Sequence, residues 1–259
     1  MDLPKLRHDQ YQIATHPAKV KCLSMGRRWG KTVLGGTVVL NTLRQHGRVA
    51  WVTPTFKNSR PLWRWCVNAT AKEVASDKVR LSRVERTLET RRGGFLGLYS
   101  ADNIDSIRGE AFHLVVMDEA ARIEEDAWTD AIMPTLADYD GDAILISTPK
   151  GKNWFYVEYL KGQEDGEHTA SWQASTNVNP NPNIRNAFEL AKHRVAERTF
   201  RQEWMAEFVE GGEVFRHIDR AATADRQESA HSGHQYVFGI DFGRVEDYTV
   251  VTVVDLTEK

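Results

Sequence analysis

Four short apolar runs punctuate the N-terminal part of the chain: VKCLSMG from Val20, RVAWVTPT from Arg48, FHLVVMDEA from Phe112 and DAILISTP from Asp142. A strand with one solvated face would alternate apolar and polar positions. These runs do not alternate, and each ends in turn or polar residues. They read as strands buried on both faces, as in a parallel sheet, with their chemistry at the C-terminal ends. Helical spacing fills the gaps over about 32–46, 59–75 and 124–139. Strand, loop, helix, strand is the order of an open α/β sheet, and such sheets bind ligands at strand C-termini. Between the second and third runs lies RTLETRRGGFLGLYSAD, whose Gly93-Gly94 pair sits between alternating segments. It predicts a hairpin, and so an antiparallel addition to the sheet.

The pattern changes after TASWQAST. NVNPNPNIRN, with two prolines and five asparagines, is a loop by composition. A helical segment follows over about 187–208, too short to be a domain. ATADRQESAHSGHQ has the low hydrophobicity of an exposed linker. YVFGIDFGRVEDYTVVTVVDLTEK then reads as two strands of a new sheet. Two strands cannot bury a core by themselves, so the chain is expected to be a fragment that stops inside a second domain.

Composition adds little to this picture. The 259 residues are 41% hydrophobic and 27% charged, which suits one large domain or two unequal ones. A formal net charge of -2 advertises neither nucleic acid nor an acidic membrane, although a local basic face is compatible with it. Cys22 and Cys66 are expected to be reduced core thiols, as in a reducing compartment. The N-terminus has no apolar core of signal-peptide length, and no run is long enough to span a bilayer. The expectation is a soluble cytoplasmic protein.

The candidate chemistry begins at SMGRRWGKT. The phosphate-loop rule G-x-x-x-x-G-K-[ST] would put the first glycine at Met25, and it stands one place later, at Gly26. Such a loop points backbone N–H groups at phosphates where a helix begins. Gly30 allows close approach, Lys31 reaches the β- and γ-phosphates, and Thr32 offers a hydroxyl to Mg²⁺. Gly26 is expected only to permit a turn after the strand, so a shift of one residue need not destroy the site. Arg27 and Arg28 add positive charge, and Trp29 completes the nucleotide-binding stretch. HLVVMDEAA supplies the partner: Asp118 at a strand end to hold Mg²⁺ through water, and Glu119 to polarise an attacking water. An adjacent base argues for hydrolysis rather than nucleotide sensing.

Three further signals fit. DQYQIA precedes the first strand, where a glutamine can read adenine through its amide. Gln12 is the first choice and Gln10 the alternative. Ser147 and Thr148 end the fourth run beside Asp118 and are placed to sense the γ-phosphate. Arg108, beside Gly109 just before the Asp118 strand, is free to stabilise transition-state charge in the same chain or in a neighbour.

GRRWGKT, WVTPTFKNSR, IRGEAFHLVVMDEAA and ISTPKGKNWFY, in this order and spacing, resemble the ATPase domain of a tailed-phage terminase large subunit. The resemblance runs from about 12 to 215, and the chain's end resembles the first hairpin of that family's RNase H-like nuclease. The family carries an arginine-rich loop with the shifted glycine.

The implied fold is α/β: a P-loop NTPase of the RecA/ASCE-like kind with a mostly parallel sheet, flanking helices and a small helical lid. The implied domains are an ATPase core over 1–176, a lid over 177–218, a linker over 219–234 and a truncated nuclease start over 235–259. Matched position by position, Lys31 and Thr32 take the phosphate and Mg²⁺ contacts. Arg27 is the loop arginine, Asp118 and Glu119 are the metal-holding and catalytic acids, and Ser147-Thr148-Pro149 is the coupling motif. Gln12 reads adenine, and Arg108 falls where some members supply an arginine finger to the next subunit of a ring. Asp241 matches a nuclease aspartate that binds catalytic Mg²⁺ or Mn²⁺. The other acids of that site are expected beyond Lys259, so this chain is expected to lack nuclease activity; Asp247 is a weaker candidate ligand.

The resemblance further implies ATP and Mg²⁺, packaging of double-stranded DNA into a procapsid in the host cell cytoplasm, and a portal protein and small terminase subunit as partners. A ring of copies on the portal is implied, with a monomer in isolation as the alternative. Arg80, Arg83, Arg86, Arg91 and Arg92 around the hairpin are candidates for DNA phosphates, or a solvated face balanced by Glu85 and Glu89. Trp63, Trp65, Trp154 and Trp204 read as packing groups, and the histidines show no metal-ligand spacing. Rival readings are a helicase-like ATPase, for which no second set of motif strands exists, a nucleotide-controlled scaffold, which Glu119 argues against, and a metabolic kinase.

Overall fold

The computed structural model describes residues 1, 3–209, 229–241 and 250–257, which fall into two compact units, Met1–Gly212 and Glu213–Lys259. In the first unit α1 (His8–Thr15) precedes β1 (Val20–Met25), and α2 (Lys31–Arg44) leads to β2 (Arg48–Thr53). Helices α3 (Arg60–Ala69) and α4 (Ala71–Ala75) follow, then β3 (Val79–Ser82), β4 (Thr87–Thr90), β5 (Phe95–Ser100) and β6 (Leu114–Asp118). The unit continues through β7 (Asp142–Ser147), α5 (Trp154–Glu164), β8 (Thr169–Ala174) and α6 (Pro182–Arg194).

Among the described residues, eight strands form one sheet in the order β3-β4-β5-β2-β6-β7-β1-β8. From β5 to β8 every pairing is parallel, and β3 and β4 add antiparallel at one edge. The four apolar runs are β1, β2, β6 and β7, side by side at the centre. Their successive residues supply two cores, one on each face, because side chains alternate across a strand. Leu23, Trp51, Val116 and Ile146 pack on the face covered by α2 and α3. Cys22, Val52, Val115 and Leu145 pack on the other face with Trp128, Trp154 and Phe155. Each such buried side chain stabilises the fold by roughly 1.5–3 kcal/mol, which makes the central strands the rigid frame for whatever sits at their ends. Both cysteines are free and buried, and no helix among the described residues is long and apolar enough to cross a membrane.

The predicted hairpin is present as β4 and β5, with Glu89 opposite Phe95 and Leu88 opposite Leu96. Other expectations need correction. The helix expected over 59–75 breaks at Thr70, whose hydroxyl bonds back to the Cys66 carbonyl at 2.8 Å. The stretch expected as one helix over 124–139 is instead a π-turn, Ala127–Ile132, and a 3-10 segment, Met133–Tyr139. Pro134 has no N–H to continue an α ladder there. The helix expected over 187–208 begins earlier, at Pro182, and α6 stops at Arg194. Strand β8 carries no clear sequence signal because it is an edge strand with one buried residue, Ala170.

In the second unit β9 (Tyr236–Asp241) and β10 (Val250–Asp255) form an antiparallel pair. Val237, Phe238, Ile240, Val251 and Val253 are exposed. Asp247, residues 210–218 of the expected lid and 219–228 of the expected linker lie outside the described residues.

Candidate active site

Strand β7 lies between β1 and β6, with Ser24 opposite Ser147 and Asp118 opposite Ile146. This register brings three strand ends to one edge of the sheet: the loop after Met25, Asp118-Glu119 and Ser147-Thr148. The loop folds around Trp29, which is fully buried in the core. Arg28 (φ 61°) and Gly30 (φ 114°) take left-handed backbone on either side of it, so the loop turns tightly into α2. A side chain at Gly30 would be strained and would also meet Gln10 Nε2 at 2.7 Å. Arg27 and Arg28 point outward and are exposed.

Gly26 does a different job from the one expected. Its φ is not positive, so the turn does not demand glycine. A Cβ there would instead lie 2.5 Å from the Trp204 carbonyl and 2.7 Å from the Thr176 amide. The shifted glycine is needed because the segment after β8 packs directly on the loop. That segment clasps it: Thr176 Oγ1 donates to the Arg27 carbonyl at 2.6 Å, and Asn179 Nδ2 donates to the Arg28 carbonyl at 2.6 Å. The Arg27 amide donates to the Glu203 carbonyl at 2.8 Å, and Arg27 Nε donates to the Glu203 carboxylate at 2.7 Å.

Lys31 opens α2 and folds back over the loop, its Nζ donating to the Met25 carbonyl at 3.2 Å and lying 3.8 Å from Glu119 Oε1. Burial lowers its pKa, opposed by the charges of Glu119 and Asp118. Asp118 is pushed up to about 7, first by burial and then by the charge of Glu119, against the pull of Lys31. Glu119 adopts a left-handed conformation (φ 57°, ψ 41°). That is costly for a non-glycine residue, on the order of 1–3 kcal/mol, and such strain gathers at functional sites. The turn is held from behind by Asn153 Nδ2 donating to the Ala121 carbonyl at 2.8 Å, and Trp154 Nε1 donating to the Ile123 carbonyl at 2.7 Å.

Ser147 and Thr148 are both buried and behave differently. The Ser147 hydroxyl donates to the Thr148 carbonyl at 2.7 Å, while Thr148 Oγ1 faces Glu119 Oε2 at 3.5 Å. Thr32 lies half-buried in the first turn of α2. Of the two candidate glutamines, Gln12 is exposed and turned away, whereas Gln10 is buried and directs Nε2 toward the Gly30 carbonyl at 3.4 Å. Gln10 also accepts from the Arg7 amide, and Arg7 stacks over the Trp29 ring at 5.0 Å. Of the two glutamines, only the alternative, Gln10, is thus placed against the loop, and α1's helical turn separates them.

Arg108 does not join this cluster. It is exposed and pairs with Asp105 at 2.7 Å. Asp241 ends β9 in the other unit, and among the described residues no group of three or more His, Cys, Asp or Glu stands together as a metal site. Sequence reading missed Arg122 and Glu203, which face one another across the loop (Nη2–Oε1 3.7 Å). The only available signal was Arg122 falling three residues after Glu119.

Comparison with known proteins bears on this edge. The family profile "Terminase large subunit, T4likevirus-type, N-terminal" matches residues 22–221. The chain is 30% identical over 300 residues to the terminase large subunit of Thermus virus P23-45, covering 97% of this chain and 60% of that protein. It is 30% identical over 205 residues to that of Escherichia phage T5, covering 77% and 46% respectively. It thus spans about 60% or less of these relatives' length. Among solved structures it is similar to the large terminase ATPase domain of Thermus phage P74-26, with a TM-score of 0.69 and 27% identity, over 79% of this chain and 94% of that one.

Proposed function

This chain belongs to the terminase large-subunit family, and on that premise we propose that it is the ATPase of a DNA-packaging motor. The observation that carries the reading is the meeting of Lys31 and Glu119, 3.8 Å apart, at the C-terminal ends of parallel strands, with Glu119 held in a strained left-handed turn.

In the proposed mechanism, the amides of residues 27–32 and the start of α2 cradle the phosphates of ATP. Lys31 leaves the Met25 carbonyl for the β- and γ-phosphates. Arg27 and Arg28 add charge at the loop's outer rim, Trp29 anchors it, and Gln10 with Arg7 lies on the adenine side. Glu119 orients the attacking water, and Thr148 next to it reports on the γ-phosphate. Thr32 and Asp118 fit a magnesium ion, which keeps several waters and needs only one or two protein oxygens beside the phosphates. A carboxyl that burial pushes up to about 7 is one whose ionised form gains most from a nearby cation. Bound there, the ion would supply charge neutralisation on the phosphates.

Arg108, exposed and paired with Asp105, fits a finger offered to a neighbouring copy in a ring. The expected lid, 177–218, is proposed to act as one, since the contacts of its Asn179 and Glu203 to the loop make it sensitive to what the loop holds. Double-stranded DNA in the host cytoplasm, a portal protein and a small subunit are the proposed partners. For Asp241, at the end of β9, a metal-binding role in a nuclease site is proposed.

The test is ATP hydrolysis per chain across a wide range of protein concentration, for the unsubstituted chain and Arg108→Ala. A specific rate that climbs with concentration, with the climb abolished by the substitution, is the expected result. A rate flat in both removes the role of Arg108 in a neighbour's site.

A further inference from the structure

Glu119 has two carboxylate oxygens, and different groups face each. Oε1 faces Lys31 Nζ at 3.8 Å, whereas Oε2 faces Arg122 Nε at 3.6 Å and Thr148 Oγ1 at 3.5 Å. Arg122 closes the 3-10 turn Ala120–Arg122, its amide donating to the Glu119 carbonyl at 2.9 Å. Asn153 and Trp154 fix that turn from behind, so the backbone that presents Arg122 is set. Its guanidinium then reaches two carboxylates: Glu119 and, through Nη2 at 3.7 Å, Glu203 of the segment that clasps the loop.

These contacts do not serve stability. Arg122 is 44% exposed, and ion pairs of that kind contribute little to folding. They flank one oxygen of the Glu119 carboxylate instead. Lys31 is needed by the phosphates once a nucleotide is bound, so it cannot be the lasting partner of Glu119. Arg122 and Thr148 can, because neither belongs to the phosphate loop.

We propose that Arg122 is a positioning residue for the hydrolytic reaction: anchored between Glu119 and Glu203, its guanidinium fixes the Glu119 carboxylate toward the attacking water after Lys31 has turned to the phosphates. The inference rests on the reading of Glu119 as the group that orients water. It assigns Arg122 no contact with nucleotide, which separates it from a binding residue.

The test compares the unsubstituted chain with Arg122→Ala and Arg122→Lys, measuring kcat and KM for Mg-ATP, the Kd of a fluorescent ADP analogue, and Tm. Arg122→Ala is expected to lower kcat by on the order of ten- to a hundredfold. KM and the Kd of the analogue should stay within about twofold, and Tm should hold. Arg122→Lys, which keeps the charge but not the planar fork, should recover part of kcat. A kcat for Arg122→Ala within twofold of the unsubstituted chain overturns the proposal. So does a loss of kcat that tracks a fall in Tm or in analogue affinity and that lysine does not relieve. An unsubstituted chain that turns over no ATP at any protein concentration removes the ATPase reading, and this inference with it. That result differs visibly from a loss confined to the Arg122 variants.

Discussion

The edge formed by the ends of β1, β6 and β7 and the edge formed by β3 and β4 are both crowded with charge, yet they treat it in opposite ways. At the first, Lys31, Asp118 and Glu119 are drawn together away from bulk water, where burial moves the pKa of Lys31 down and that of Asp118 up. At the second, Arg80 stands opposite Glu89 across the ladder, and Arg91 pairs with Asp77, all in solvent. Arg86 belongs to neither pattern. It donates to the Phe56 carbonyl at 2.9 Å and Ser59 Oγ at 3.1 Å and stacks on Phe56 at 4.0 Å. It is therefore a packing group at the start of α3, which corrects its grouping with free arginines for DNA. Charge concentrated where the strands end can do chemistry; charge spread along a sheet edge can only attract phosphates from solution.

Glu119→Gln gives the hardest test of that contrast. It keeps the shape of the site and removes the proposed base, so kcat should fall by about 10²–10⁴-fold while a fluorescent ADP analogue still binds. Hydrolysis at the original rate would reduce the first edge to a mere charge cluster. Gly26→Ala comes next. Its Cβ would press on the Trp204 carbonyl at 2.5 Å, backbone that cannot swing aside. A loss of about 1–3 kcal/mol in denaturant unfolding is expected, together with weaker nucleotide binding. A stability equal to the parent's would mean that the clasp on the loop is loose.

Asp118 sharpens the comparison through pH. Its folded pKa, about 7, lies above its ordinary value of 3.8. The stability it contributes is therefore fully present below about pH 4 and is lost as pH rises through about 7. Relative to Asp118→Asn, the metal-free chain should lose Tm between pH 5 and 8, and Mg-ATP should restore more at pH 8 than at pH 5. Parallel Tm curves for the two proteins would contradict the burial argument. The smallest effects belong to the basic edge. Arg86→Ala should cost about 1 kcal/mol of stability and leave DNA binding nearly unchanged. Arg92→Ala should leave stability intact and lower the salt slope of DNA binding by about 1. Reversal of that pair would place the phosphate-gripping arginine at Arg86.

Much of this was legible in the chain itself. Uninterrupted apolar runs can be satisfied only between two covered faces, so β1, β2, β6 and β7 were visible, as were the glycine pair of the hairpin and the tight turn into α2. Edge strand β8 and the non-α segments over 127–139 were not, because an edge strand needs little apolar pattern and Pro134 breaks a ladder without saying what replaces it. Lys31, Asp118 and Glu119 could be singled out because backbone geometry ties them to strand ends a fixed number of residues away. The burial of Gln10 rather than Gln12, the exclusion of Arg86 from the free arginines and the partnership of Arg122 with Glu203 could not. Each depends on which way a side chain turns and on what distant segment comes to meet it. Gly26 shows the division most plainly: the sequence displaced the glycine by one position, and only the approach of Thr176 and Trp204, about 150 residues and more away along the chain, supplied the steric reason. Local pattern is set by neighbours in the chain and is written there, whereas long-range contact is decided by packing, which no short stretch encodes by itself.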